Sequence, residues 1–321
     1  MTPPAPELIS TAHSPLTDPE LHAWGWEIAV YLFLGGLTAG LLVLCGHALW
    51  RGRRSPASAP SFALASSGLP LIGLAAISLG MLALFLDLAH KPFVWRLYLT
   101  MQPRSPMSWG AWILVLVYPV LLAGVLLDPP SWLGARAPAL TRRFRAIADH
   151  DRTRRRIGLV SIATGVALGV YTGVLLSSLG ARPLWSSGLV APLFLVSGMS
   201  TSAAIAHVVS PDHGERDQLL RLDSLLITVE LGLLALFLIG LSSSTEAHAA
   251  AARLVLGGPY TAVFWVGVVV LGLVLPLGLQ ILTAAGRIAD TPVAAVLVLC
   301  GGLALRFVIV FAGQTSHWSR P

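Results

Sequence analysis

The chain has 321 residues, of which 55% are hydrophobic and only 11% charged, with a formal net charge of +6 and a mean hydropathy of +0.77. A soluble domain carries about 25% charged residues, so the composition excludes an ordinary globular enzyme and points to an integral membrane protein. The excess positive charge lies in loops without interleaved aromatics, which excludes nucleic acid as a partner, and two cysteines, Cys45 and Cys300, are too few for an iron–sulfur cluster or a Cys-rich zinc site.

In chain order, residues 1–26 form an acidic tail with Glu7, Asp18 and Glu20 and no lysine or arginine. The tail has no basic segment before a short apolar run and no small-residue cleavage site, so no cleaved signal peptide is expected. Apolar runs near the roughly 20 residues that a helix needs to cross a bilayer then fall at 27–49, 68–89, 107–127, 157–179, 189–209, 219–243, 260–284 and 293–313. The fold class is therefore all-α: a membrane domain of eight transmembrane helices over 27–313, ending in a short tail, 314–321. Fourteen of the 21 lysines and arginines lie on one side of this alternation, including Arg51, Arg53 and Arg54 and eight arginines within 128–156. By the positive-inside rule this side is cytoplasmic and both termini are extracytoplasmic. The arginine-rich loop reads as a topology determinant lying on anionic lipid.

Between the second and third spans, Asp87 to Trp112 collects polar and aromatic groups at the outer boundary: Asp87, His90, Lys91, Arg96, Arg104, Trp95, Trp109 and Trp112. That density suggests a roof over a site or a docking surface. Gly36 and Gly40 in the first span, and Gly165, Gly169 and Gly173 in the fourth, have the four-residue spacing that lets helix backbones approach closely in lipid.

Ionisable residues within spans are costly and are functional candidates by default. Glu27 opens the first span and Asp87 closes the second, both at the outer side, with His90 close behind. Tyr31 follows Glu27 by four residues and shares its helical face, and Tyr171 falls in the outer half of the fourth span. Phenols, carboxylates and a histidine at one depth match a quinone headgroup, which needs hydrogen-bond partners for two oxygens and a group that exchanges protons. The alternative is an interfacial Glu27, belt tyrosines, and Asp87 paired with His90 or Lys91. Glu230 lies mid-span, two turns from Asp223, and Arg306 lies in the last span. These three form either a buried ion pair between helices or a proton path from the cytoplasm. His47 and His207 could hold a haem only if they faced each other, and they read instead as interfacial.

Three runs carry a resemblance: W-E-I-A-V-Y-L-F-L-G-G-L-T-A-G from Trp26 to Gly40, Q-P-R-S-P-M-S-W-G-A-W from Gln102 to Trp112, and R-F-V-I-V-F-A-G-Q from Arg306 to Gln314. Together they resemble the NrfD/PsrC family, membrane subunits of polysulfide-reductase-type oxidoreductases. The resemblance implies a quinone-binding subunit (menaquinone or ubiquinone) without haem, metal or iron–sulfur cluster of its own and without catalysis on its own. Its implied partners are an extracytoplasmic ferredoxin-like iron–sulfur subunit and a catalytic subunit, whether molybdopterin enzyme, hydrogenase or multihaem protein. Its implied location is the cytoplasmic membrane of a prokaryote. It also implies that Tyr171 in G-V-Y-T-G binds quinone, with Tyr31 and Glu27 replacing a histidine and an asparagine of the first helix. Arg96 and Arg104 would face the partner. A structural anchor, a small-solute transporter and a haem-bearing cytochrome are the competing readings.

Overall fold

A computed structural model describes residues 24–51, 68–88, 90–127, 150–178 and 182–318, with positions 135, 136, 138, 139 and 142. Most of the acidic tail, and Arg53, Arg54, Arg143 and Arg145, lie outside the described residues. Among the described residues there is no strand, and eight helices are long and apolar enough to cross a bilayer. They are α1 (Trp26–Arg51), α2 (Gly68–Asp87), α3 (Pro106–Leu127), α4 (Asp151–Ser178), α5 (Val190–Val209), α6 (His213–Ser242), α7 (Val263–Ala284) and α8 (Val293–Thr315). Hydropathy alone starts α4 at 157 and α6 at 219. Both helices begin about a turn and a half earlier, because helical hydrogen bonding continues through the polar residues that flank an apolar run.

α1 occupies the centre, contributing side chains to every buried apolar cluster. Lipid offers no hydrophobic drive between helices, so close backbone approach must supply the packing. The spaced glycines provide it. A Cβ at Gly165 would strike the Ala39 carbonyl of α1, one at Gly173 would strike the α5 backbone at Ala191, and Gly36 lies directly against Gly198.

α7 departs from regular geometry: Val263–Val274 is π-helical before the α-helix resumes at Leu275. Pro276 lacks a backbone N–H and its ring crowds the carbonyl of the preceding turn, which a widened turn relieves. An amphipathic helix, Glu246–Leu256, links α6 to α7 and buries Ala251, Ala252 and Val255.

Two faces of the bundle differ. At the terminal face the ends of α1 and α8 and the start of α5 are tied together. The Trp24 N–H donates to Gln314 Oε1 at 3.2 Å and Gln314 Nε2 donates back to the Trp24 carbonyl at 2.9 Å. Buried Arg182 donates to the Ser316 carbonyl at 2.9 Å, and Trp185 stacks on Trp24 with ring centroids 5.1 Å apart. At the opposite, arginine-bearing face, His207 at the end of α5 meets Arg216 of α6 and Asp290 before α8.

Candidate functional site

Two polar clusters interrupt the apolar interior. The first lies near the terminal face among α1 to α4. Tyr31 of α1 and Tyr171 of α4 are buried, at 3% and 8% exposure. The Tyr31 ring runs along Gly80 of α2, and the Tyr171 ring and hydroxyl fill the space that a Cβ of Gly110 would take. Tyr171 and Tyr98 both lie near Tyr31, and Tyr118 lies near Tyr98. Four of the five tyrosines in the chain thus meet in one region. Burial pushes the Tyr98 phenol up, with Tyr118 adding to the effect, so it stays a hydrogen-bond donor at neutral pH. Tyr118 shares a 3.5 Å hydrogen bond with Ser78. The hydroxyls of Tyr31 and Tyr171, in contrast, make no hydrogen bond to any described residue, and neither oxygen is among the fully enclosed polar atoms without a partner, so both reach accessible space.

At the rim of this cluster Glu27 and Asp87 stand close enough for the Glu27 charge to act on Asp87, and the Gly25 backbone lies beside the Asp87 carboxylate. The Gln314 clamp on Trp24 fixes the chain just before Glu27, which accounts for the A-G-Q run. Gly313 in that run leaves room for the Trp185 indole, whose N–H donates to the Ile309 carbonyl at 2.8 Å. His90 is exposed and begins a single 3-10 turn, Lys91–Phe93. The interactions of Asp87 run to Glu27 and Gly25 rather than to His90.

The roof is built by its own motif. Ser108 Oγ accepts from the Gln102 N–H at 3.0 Å and donates to the Thr100 carbonyl at 3.3 Å. Trp109 Nε1 donates to the Pro103 carbonyl at 2.7 Å, which ties the loop onto the start of α3. Arg96 and Arg104 are exposed. The Arg96 guanidinium lies over Phe93, 4.5 Å from the ring centroid, and Trp95, Trp109 and Trp112 are exposed beside it.

The second cluster lies deeper, among α5 to α8. Arg306 is 1% exposed, Glu230 2% and Asp223 1%. Arg306 Nη1 donates to Ser197 Oγ at 2.6 Å and Nη2 to the Phe194 carbonyl at 2.9 Å, with the guanidinium 4.4 Å from the Phe194 ring centroid. The expected ion pair is indirect: Glu230 feels Arg306 across Ser197, which interacts with both. Arg306 Nε is buried without a partner among the described residues. Asp223 accepts from Ser200 Oγ at 2.6 Å and from Gln280 Nε2 at 2.6 Å, and Gln280 in turn accepts from Ser224 at 2.8 Å. Two neutral donors hold a buried carboxyl here in place of a cation. Its protonation can therefore change without breaking a salt bridge.

A family model described as polysulphide reductase, NrfD, matches residues 15–317. The chain belongs to this family. Over 312 residues it is 31% identical to protein NrfD of Escherichia coli K12, covering 91% of this chain and 95% of that one. Over 310 residues it is 31% identical to a polysulfide reductase polypeptide of Wolinella succinogenes, covering 91% of this chain and 94% of that one. A selenate reductase subunit of Mesobacillus selenatarsenatis is 24% identical over 318 residues, covering 90% of this chain and 73% of that one. Membership places this NrfD-family chain among multi-pass membrane subunits of oxidoreductases.

Several residues of both clusters escaped the sequence reading. Tyr98 sits in a polar connection and looks like a belt aromatic. Gly110 belongs to the quoted motif, yet only the packing of Tyr171 explains it. Gln280 and the serines of α5 are neutral, so a search for charges within spans passes over them.

Proposed function

We propose that this NrfD-family chain is the quinone-reactive membrane subunit of a respiratory oxidoreductase in the cytoplasmic membrane of a prokaryote, with its terminal face extracytoplasmic. The observation that carries the reading is the pair of buried phenols, Tyr31 and Tyr171, whose hydroxyls no described residue engages. Two donors without partners are what the two carbonyl oxygens of a quinone headgroup accept from. The quinone is substrate, exchanged with the bilayer pool. Glu27 and Asp87 at the rim take up or release the protons that accompany two electrons. Exposed His90 lies on the route from that rim to water.

The electrons pass to or from an iron–sulfur subunit seated on the roof, where Arg96 and Arg104 offer charge and the exposed tryptophans offer area. A catalytic subunit beyond it supplies the substrate chemistry. The relatives named for polysulfide and selenate reductases support such an assembly. Asp223, Glu230 and Arg306 form a second line of proton-carrying groups, favoured by the contacts that join them through Ser197 and Ser200.

Quinol-dependent electron transfer in the purified complex, at fixed iron–sulfur content, tests the reading. Tyr171→Phe should lower kcat/KM about tenfold, the worth of one hydrogen bond. Unchanged transfer in Tyr171→Phe and Glu27→Gln would leave the chain a structural anchor.

A further inference from the structure

The first turns of α4 run against the helix dipole. A helix N-terminus carries partial positive charge and favours acids in its first turn. The first six residues of α4, Asp151 to Arg156, hold one acid and four arginines, Arg152, Arg154, Arg155 and Arg156. Arg152 and Arg156 stand one turn apart as a like-charged pair, which costs further helix stability. Membrane sidedness accounts for arginines at this face, but not for their place in the opening turns of a helix. Among the described residues the ion-pair contacts at this face run from His207 and Arg216 to Asp290, and none reaches α4.

α1 ends where α4 begins. A Cβ at Gly158 would strike the Gly46 carbonyl and the Trp50 nitrogen, and a Cβ at Gly46 would strike the Gly158 carbonyl. Arg154 lies one turn before Gly158 on the same face, which turns it toward the last turn of α1, closed by Arg51. Its Nε is enclosed without a partner among the described residues, whereas a buried donor ordinarily finds one. Beneath it Leu49, Leu127 and Ile157 of α1, α3 and α4 pack into an apolar floor. Beside it Trp50, Leu159 and Val160 are exposed. Unpaired cations thus sit directly on an apolar flank, at the depth where the spans leave the hydrocarbon.

We propose that this junction binds one anionic phospholipid of the arginine-bearing leaflet, its phosphate between Arg154 and Arg51 and its acyl chains along Trp50, Leu159 and Val160. An arginine fork takes a phosphate through two parallel N–H···O bonds, and negative charge at the α4 N-terminus supplies what its dipole lacks. The apolar flank decides for a lipid over a free phosphate or an acidic protein surface, because only the lipid brings acyl chains to cover it in the same binding event. The bound lipid staples α1 to α4, the helices that carry Tyr31 and Tyr171 at their other ends. The site stands whether or not those phenols hold a quinone.

The test uses the full chain, purified in detergent, stripped of lipid, and titrated with phosphatidylglycerol, phosphatidylcholine or inorganic phosphate. Native mass spectrometry counts retained molecules, and thermal unfolding reports their effect. One phosphatidylglycerol should be held about tenfold more tightly than phosphatidylcholine and should raise the unfolding temperature, whereas inorganic phosphate should leave that temperature unchanged. Arg154→Gln and Arg51→Gln should each weaken retention about tenfold, the worth of one charge-assisted hydrogen bond. Arg154→Lys keeps the charge but loses the fork and should fall between. Arg253→Gln, at an exposed arginine of the helix that links α6 to α7, should bind as the native chain does. Equal retention of the two lipids, equal stabilisation by inorganic phosphate, or unchanged binding in both glutamine variants overturns the site. The comparison of lipids on the native chain needs no variant, so it decides the matter even where a variant fails to fold.

Discussion

The two polar clusters are built from different chemistry. Near the terminal face, phenols dominate. Four tyrosines meet there, Tyr31 packed against Gly80 of α2 and Tyr171 against Gly110 of α3, these two with hydroxyls that no described residue engages, and carboxylates stand only at the rim. Deeper in, among α5 to α8, charges are buried outright and each is held by serine, glutamine or backbone. The first arrangement offers neutral donors to something that is not the chain, whereas the second satisfies itself and leaves a single buried donor over, Arg306 Nε, among the described residues. One cluster suits a ligand that comes and goes, the other a carrier that stays.

The sharpest way to break this contrast is to remove charge from the self-satisfied cluster. Arg306→Leu should destabilise the fold by about 3–5 kcal/mol, because Glu230 and Ser197 lose a buried partner. Arg306→Leu combined with Glu230→Leu should recover most of the loss. Thermal unfolding in detergent measures both. If the double variant is no more stable than the single one, the two charges are not coupled through Ser197.

The phenol cluster should answer differently. Tyr31→Phe with Tyr171→Phe removes two hydroxyls that have no described partner, so stability should change by less than about 1 kcal/mol. Quinol-dependent electron transfer should nevertheless fall about 100-fold, roughly ten for each hydrogen bond. A large drop in unfolding temperature would show that these hydroxyls are structural. Gly110→Ala sharpens the point without touching a phenol. Its new Cβ would occupy the space of the Tyr171 ring, and overpacking of this kind typically costs about 1–3 kcal/mol. Electron transfer should fall as far as it does in Tyr171→Phe, read in the same assay.

The sequence made the two clusters unequally legible. Eight spans stand out because a bilayer demands long apolar runs, and Tyr31, Tyr171, Glu27 and Asp87 can be brought to one depth by counting along those spans. The rest depends on sidedness that counting does not give. Asp290 and His207 are 83 residues apart and each lies at a helix end, where an acid or a histidine is ordinary. Their pairing appears only when α5 and α8 are packed side by side. Gln280 carries no charge, and Ser197 and Ser200 look like small packing residues. Glu230 and Arg306 are visible in the sequence as charges within spans, but Ser197 between them is not, so the sequence leaves a buried ion pair and a proton path equally open.

The smallest effect belongs to Tyr98, which reaches the cluster from the roof rather than from a span. It is half-buried and influences Tyr31 only at a distance. Tyr98→Phe should therefore lower kcat/KM for quinol only about threefold, within the worth of a partly solvated hydrogen bond. Its phenol is already displaced upward from the ordinary value near 10, so the protonated donor persists through the neutral range and above. The native-to-variant ratio of kcat/KM should then stay flat between about pH 6 and pH 9. A ratio that collapsed toward one as pH rose across that interval would mean that Tyr98 ionises there. The roof would then open the phenol cluster to water, and the contrast between a dry ligand site and a buried proton line would fail at its outer edge.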